Sequence, residues 1–121
     1  MTRLAVSGTL NPDASTADTG EPAGAFNSAD YWSWTNDAGT WYLWYDSLNN
    51  KWVISDSLGA SPFQGQAGWG LLEGQVVGVY SMLVGVTGIA TVAEYVAPTL
   101  DEYITVEWTA SGKFTVLRKL T

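Results

Sequence analysis

Residues 31–52 read YWSWTNDAGTWYLWYDSLNNKW and hold five of the chain's seven tryptophans and three of its six tyrosines. The three aromatic runs are separated by Asn-Asp-Ala-Gly and Ser-Leu-Asn-Asn, segments with the chemistry of turns. Aromatic side chains fit a pleated, half-buried strand, so this spacing predicts an aromatic β-meander. In the middle run Trp41, Leu43 and Tyr45 alternate with Tyr42, Trp44 and Asp46, which places rings on both faces of one strand. A small β-domain uses large rings to fill its core. Rings beyond what one core holds predict a contact surface for a sugar, a partner protein or a second copy. Trp32, Trp34, Tyr42, Trp44, Asp46, Asn50 and Trp69 are the candidate residues of that surface.

Outward from the meander, the remaining strands follow the same logic. Residues 3–10 alternate through Leu4 and Val6 and predict an opening strand, and residues 11–24, NPDASTADTGEPAG, have the composition of a polar loop or arm. The meander strands are expected at 26–34, 40–46 and 51–56. Residues 57–70 contain several Gly and Pro together with Phe63 and Trp69, and predict a long loop pinned by its aromatics, with room for a helical turn within 56–65. A second such turn is expected at 98–102, where Pro98 opens a capping sequence. Strands at 75–80 and 89–95 are expected to flank a loop in which Gly85 and Gly88 permit positive φ. Residues 102–108 and 113–120 flank Thr109-Ala-Ser-Gly112 and read as a C-terminal hairpin. No segment shows a sustained helical period. The expected fold is all-β: a single-domain antiparallel sandwich or flattened barrel of seven to nine strands.

Composition narrows the function. At 121 residues there is room for one domain, and the chain is 46% hydrophobic but only 14% charged, well below the roughly 25% of ordinary soluble domains. Surfaces so poor in charge suit interfaces. Twelve acidic residues against five basic ones give a net charge of -7, which disfavours nucleic acid and anionic membranes as partners. Lys113, Arg118 and Lys119 near the C-terminus read as a solvated edge. Residues 74–93 carry no charge and are long enough to span a membrane, yet they contain four glycines and many β-branched residues and lack flanking Lys or Arg. Two strands fit them better than a membrane span. The opening residues MTRLAVSGTL form no secretory apolar segment, so synthesis without a cleaved export signal is expected.

The chain has no Cys and no His, which removes disulfides, thiol nucleophiles, the usual general base and the commonest zinc ligand. Carboxylate-pair glycoside hydrolysis is the remaining catalytic possibility, with Asp46 and Asp56 at the ends of adjacent strands, but aspartates there are good turn residues. Asp13, Asp18 and Glu21 lie in one loop without the spacing of a calcium-binding loop, and the glycines of residues 65–70 lack the Lys and Ser/Thr of a phosphate loop. No catalytic residue, metal or cofactor is therefore expected. Binding to a surface glycan remains the alternative, with Trp44, Tyr42, Asp46 and Asn50 offering rings and hydroxyl partners.

The series SGTLNPDA at 7–14, WYLWYD at 41–46, KWVISDSLG at 51–59, GVYS at 78–81 and TGIATV at 87–92 resembles a small β-module of uncharacterised proteins in bacteriophage genomes and some bacteria. The likeness covers about residues 4–95, and the WYLWYD…KWVIS hairpin is its most specific part. It implies a virion surface component, either a capsid decoration protein or a fibre part, made in the bacterial host cytoplasm and bound to the major capsid protein or another virion protein. It also implies a homo-oligomer, a trimer by analogy with small cement and fibre proteins, and it carries over no catalytic residues. Residues 11–24 and the C-terminal hairpin depart from the module. The polar arm is accordingly expected to order on docking, adding a strand to an exposed edge of the shell protein.

Overall fold

The computed structural model describes residues 2–71 and 75–97 in full, and the strand pairing of Leu100–Trp108 and Gly112–Lys119. The fold is all-β, as the sequence predicts. Its strands are β1 (Leu4–Ser7), β2 (Gly24–Phe26), β3 (Ala29–Asn36), β4 (Gly39–Asp46), β5 (Lys51–Ser55), β6 (Gly68–Leu71), β7 (Gly78–Val84), β8 (Ala90–Glu94), β9 (Leu100–Trp108) and β10 (Gly112–Lys119). The first eight form one antiparallel sheet in the order β1-β8-β7-β6-β5-β4-β3-β2, curled into a half-barrel, while β9 and β10 pair as a separate ladder. The expected antiparallel sandwich or flattened barrel thus takes the form of one curled half-barrel sheet, and the described strands number ten.

The concave face holds the core. Cross-strand register aligns Trp32 with Leu43, Leu43 with Ile54 and Ile54 with Trp69, and beyond them Leu71 with Tyr80 and Tyr80 with Ala90. Val92 pairs with Val6 at the other edge. All of these are buried in one cluster, to which Trp34 and Trp41 add their rings. Trp41 meets Trp69 edge-on at 5.9 Å between centroids. Such contacts supply stabilisation beyond area burial.

Several boundaries differ from the sequence reading for identifiable reasons. The strand expected at 26–34 is a hairpin, because Asn27 and Ser28 both take positive φ (54° and 63°) in a two-residue turn between β2 and β3. The loop expected at 57–70 ends in β6, whose glycines disguise a central strand. A Cβ at Gly70 would lie 2.6 Å from the Phe63 ring and 2.7 Å from Leu83. Glycine is there because residues 56–67 fold back over the sheet, and their single 3-10 turn, Pro62–Gln64, is the helical turn expected in that loop. The uncharged residues 74–93 supply β7 and β8, and no helix among the described residues is long and apolar enough to cross a membrane. The loop between them has Gly85 and Gly88 at positive φ, as expected. Leu100 already begins β9, so residues 100–102 are strand rather than turn; Pro98, Thr99 and the residues 109–111 of the hairpin turn lie outside the described residues.

Residues 11–20 are not a free arm. Val6 and Thr16 exchange backbone hydrogen bonds (2.8 and 2.9 Å) and the Thr19 amide donates to the Leu4 carbonyl, so the segment runs along the open edge of β1. On its other side the Trp34 indole donates to the Ala14 carbonyl at 2.9 Å, and the Asn36 amide donates to the carbonyls of Asp13 and Ser15, each at 2.9 Å. The chain then reaches β2, where the Ala23 amide bonds Tyr31. This segment spans the gap between the two edges of the sheet, and Leu10, Ala14 and Thr19 are buried by it. Several of its backbone groups are engaged within the chain, so the segment is ordered against β1 and β3 without a partner. Outside, Arg3 pairs with Asp18 and lies over the Tyr95 ring. The Arg3 guanidinium and the Gly20 amide hold the Asp18 carboxyl below its ordinary range.

Asn36 is the fastening point, since its oxygen also accepts from the Ala38 amide and the Trp41 indole. Asn36→Ala strands these groups and is expected to cost about 2–3 kcal/mol, read as a lower urea midpoint with an unchanged slope. Tyr80 is fully buried, and burial raises its phenol well above the ordinary tyrosine value. A folded pKa raised in this way leaves the contribution to stability complete below about pH 10, with loss as pH climbs further. Tyr80→Phe, which forfeits only the hydrogen bond to Val76, is expected to flatten the decline in stability between about pH 10 and 12, measured by urea unfolding.

Candidate functional site

The convex face of the sheet divides into a covered half and an open half. Over β4, β5 and β6 the register brings Trp44, Val53 and Gly70 side by side, and residues 56–67 lie on top of them. Phe26 meets the Trp44 ring edge-on at 5.5 Å, and the Trp44 indole donates to the Ser55 hydroxyl at 2.9 Å, which donates onward to the Ser57 carbonyl at 2.8 Å. Asp46 anchors this cover. One carboxylate oxygen accepts the amides of Leu48 and Asn49, closing the β4–β5 turn, and the other accepts the Asn49 side-chain amide and the Ser61 hydroxyl. Ser61 in turn caps the 3-10 turn through the Phe63 amide. Asp46 is thereby a structural acceptor, buried and engaged on both oxygens.

This arrangement decides where the candidate residues stand. Trp32, Trp34 and Trp69 are in the concave core, and Trp44 and Asp46 lie beneath residues 56–67. Only Tyr42, half-buried on the convex face, and Asn50, exposed in the β4–β5 turn, keep solvent access. The structure therefore does not gather the seven into one surface. Both aromatic rows of β4 are needed for folding, one facing each way. Among the half-exposed rings outside those seven are Tyr45 and Trp52, 5.3 Å apart at the rim of the concave face, with the Tyr45 hydroxyl donating to the Asn50 side chain at 2.9 Å. Asp13 and Asp37 line an open depression of about 480 Å³ with Ser15, Asn36 and Ala38. Ser15 holds the Asp13 carboxyl below its ordinary range by donating to it. No cluster of metal-ligating residues occurs among the described residues.

The open half lies over β1, β8 and β7. Ala5 pairs with Ala93, and Ser7 pairs with Thr91, which pairs with Val79, while Val77 just precedes β7. These six residues are uncharged and small or β-branched. Val79 exposes 56% of its surface and Val77 42%. At one end of the face the Arg3 guanidinium lies over the Tyr95 ring. The sequence signal for this surface is the uncharged run at 74–93, which supplies Tyr80, Ala90 and Val92 to the core and the exposed Val77 and Val79 to the convex face. No family model, curated protein or solved structure matches this chain.

Trp44 separates the two roles that the sequence allows for it. Trp44→Ala is expected to lower stability by about 3–5 kcal/mol, the cost of an emptied aromatic site, with a matching fall in thermal midpoint. An unchanged midpoint accompanied by lost binding would assign the ring to a ligand instead.

Proposed function

We propose that this protein is a non-enzymatic bacteriophage virion structural protein, a capsid decoration or fibre-associated component that works through protein–protein assembly. The observation that carries the assembly reading is the open convex face of β1, β8 and β7, uncharged on a chain of net charge -7. A strongly acidic chain stays soluble by self-repulsion, so an uncharged apolar face on it marks where another protein surface is tolerated. Its placement on a virion rests on the resemblance of the WYLWYD…KWVIS hairpin and its flanking segments to phage β-modules. Glycan binding is the second reading and draws on the half-exposed pair Tyr45 and Trp52 beside Asn50, since flat rings with a neighbouring amide suit sugar hydroxyls.

The test is a mass-spectrometric inventory of density-purified particles from the source culture, with copy number taken relative to the major shell protein. A near-stoichiometric ratio is expected for a decoration protein and a few copies for a fibre component. Absence from the particles would overturn the virion assignment.

A further inference from the structure

A short stretch of β3 keeps an unpaired edge. Successive residues of an antiparallel ladder direct their backbone groups to alternate sides. The Tyr31 carbonyl points away from β4, where it accepts the Ala23 amide, so Ser33 and Thr35, in step with Tyr31, point their N–H and C=O groups the same way. Strand β2 covers β3 only from Ala29 to Tyr31, and the chain before it leaves the ladder at Pro22, which has no N–H to give. Residues 11–20 bond the backbone of β1 but meet β3 through the Trp34 and Asn36 side chains. Among the described residues nothing bonds the outward groups of Ser33 and Thr35, and Thr35 is exposed. The devices that guard a strand edge are missing here: Ser-Trp-Thr-Asn at 33–36 has no charge and no proline, and its register with β4 is unbroken.

A strand laid along this edge places alternate side chains on the two faces of the sheet. Those opposite Ser33 and Thr35 fall on the convex side, beside the hydroxyls of Thr35 and Thr40, which bond each other at 2.9 Å. Those opposite Trp34 and Asn36 fall on the other side, that of Asn36, which lines the open depression of about 480 Å³ together with Asp13, Ser15, Asp37 and Ala38. Two carboxylates and no basic residue are among these lining residues, and Ser15 favours the charged form of Asp13 by donating to it. We propose that the open edge of β3 receives an extended segment of a partner protein as an added strand, with a Lys or Arg of that segment entering the depression at Asp13 and Asp37. Backbone pairing supplies the hold, and the two carboxylates select the basic side chain. The net charge of -7 draws such a segment in. It also makes a second copy the poorer occupant, since self-pairing at this edge brings like charges together.

This inference rests on the assembly reading and deepens it, and it is tested with synthetic peptides and no particles, so its failure is separable from that of the virion assignment. The probe is an acetylated, amidated heptapeptide of alternating Thr and Val in which the central Val is replaced by Lys, titrated into the full-length, nitrogen-15-labelled protein. The amide resonances of Ser33 and Thr35 are expected to shift and their hydrogen exchange to slow. A peptide with Glu in place of Lys is expected to bind about tenfold more weakly or worse. Methylating the Thr amides of the peptide is expected to abolish binding, because residues opposite Ser33 and Thr35 exchange both bonds with them. On the protein side, Thr35→Pro removes an outward donor without removing a bond to β4 and is expected to lose the peptide, with near-UV circular dichroism to verify folding. Asp37→Lys, in the exposed β3–β4 turn, is expected to weaken the Lys peptide and strengthen the Glu peptide, and it keeps the test decisive if the proline variant does not fold. No change at Ser33 and Thr35 up to about 1 mM peptide, equal binding of the Lys and Glu peptides, or a peptide-free dimer in which both amides are already protected would overturn the proposal, the last by giving the edge to a second copy.

Discussion

Strand β4 must be buried on both sides, and most of the architecture answers that demand. Trp41 and Leu43 face the concave core while Trp44 and Asp46 face the opposite way, and all four are buried. A single sheet normally shelters one face, leaving the other to water. Here the second face is sheltered by residues 56–67, and what holds them down is the Asp46 carboxylate, which binds the Ser61 hydroxyl while closing the next turn. A buried carboxylate is costly unless its lone pairs are filled. Four donors fill them, so turn, cap and cover are mutually dependent.

The two edges of the half-barrel pose a second problem, because unpaired strand edges invite association with other chains. Residues 11–20 solve it by running along β1 and handing carbonyls to Trp34 and Asn36 on β3. A segment rich in Asp, Ser, Thr and Pro is suited to this, since its polar side chains satisfy its own backbone in short turns. Asp13 accepts the Ser15 amide and Asp18 the Gly20 amide. Loop hydrogen bonds instead of further strands link the two ends of the half-barrel sheet beside its buried rings.

These two devices also define what the sequence reveals. The meander, the loop at 85–88 and the C-terminal ladder are legible because alternation and turn residues are local properties. Strand β6 is not legible, since Gly-Trp-Gly-Leu reads as a loop until Phe63 is seen lying over Gly70. Residues 11–20 read as an arm because nothing in their composition reports that Trp34 and Asn36, more than fifteen residues away, will bind their carbonyls. Five of the seven candidate contact residues are aromatic. Size alone does not say whether a ring faces solvent or a loop yet to fold over it, and Trp44 and Trp69 illustrate both kinds of concealment.

Once Trp32, Trp34, Trp41, Trp44 and Trp69 are assigned to the interior, the low charge content needs a different explanation. A core accounts for large apolar residues but not for the scarcity of charge on the surface. Acidic residues are scattered through the loops and edges of the body, at Asp13, Glu21, Asp37 and Asp56 among others, and all of these are exposed. The convex face of β1, β8 and β7 is spared, and its side chains are smaller than the rings that the chain uses elsewhere. Small residues make a poor anchor but a good receiving surface, because they admit close approach of another sheet. Charge and side-chain size therefore point to the same face, and to an incoming partner that brings its own large apolar groups.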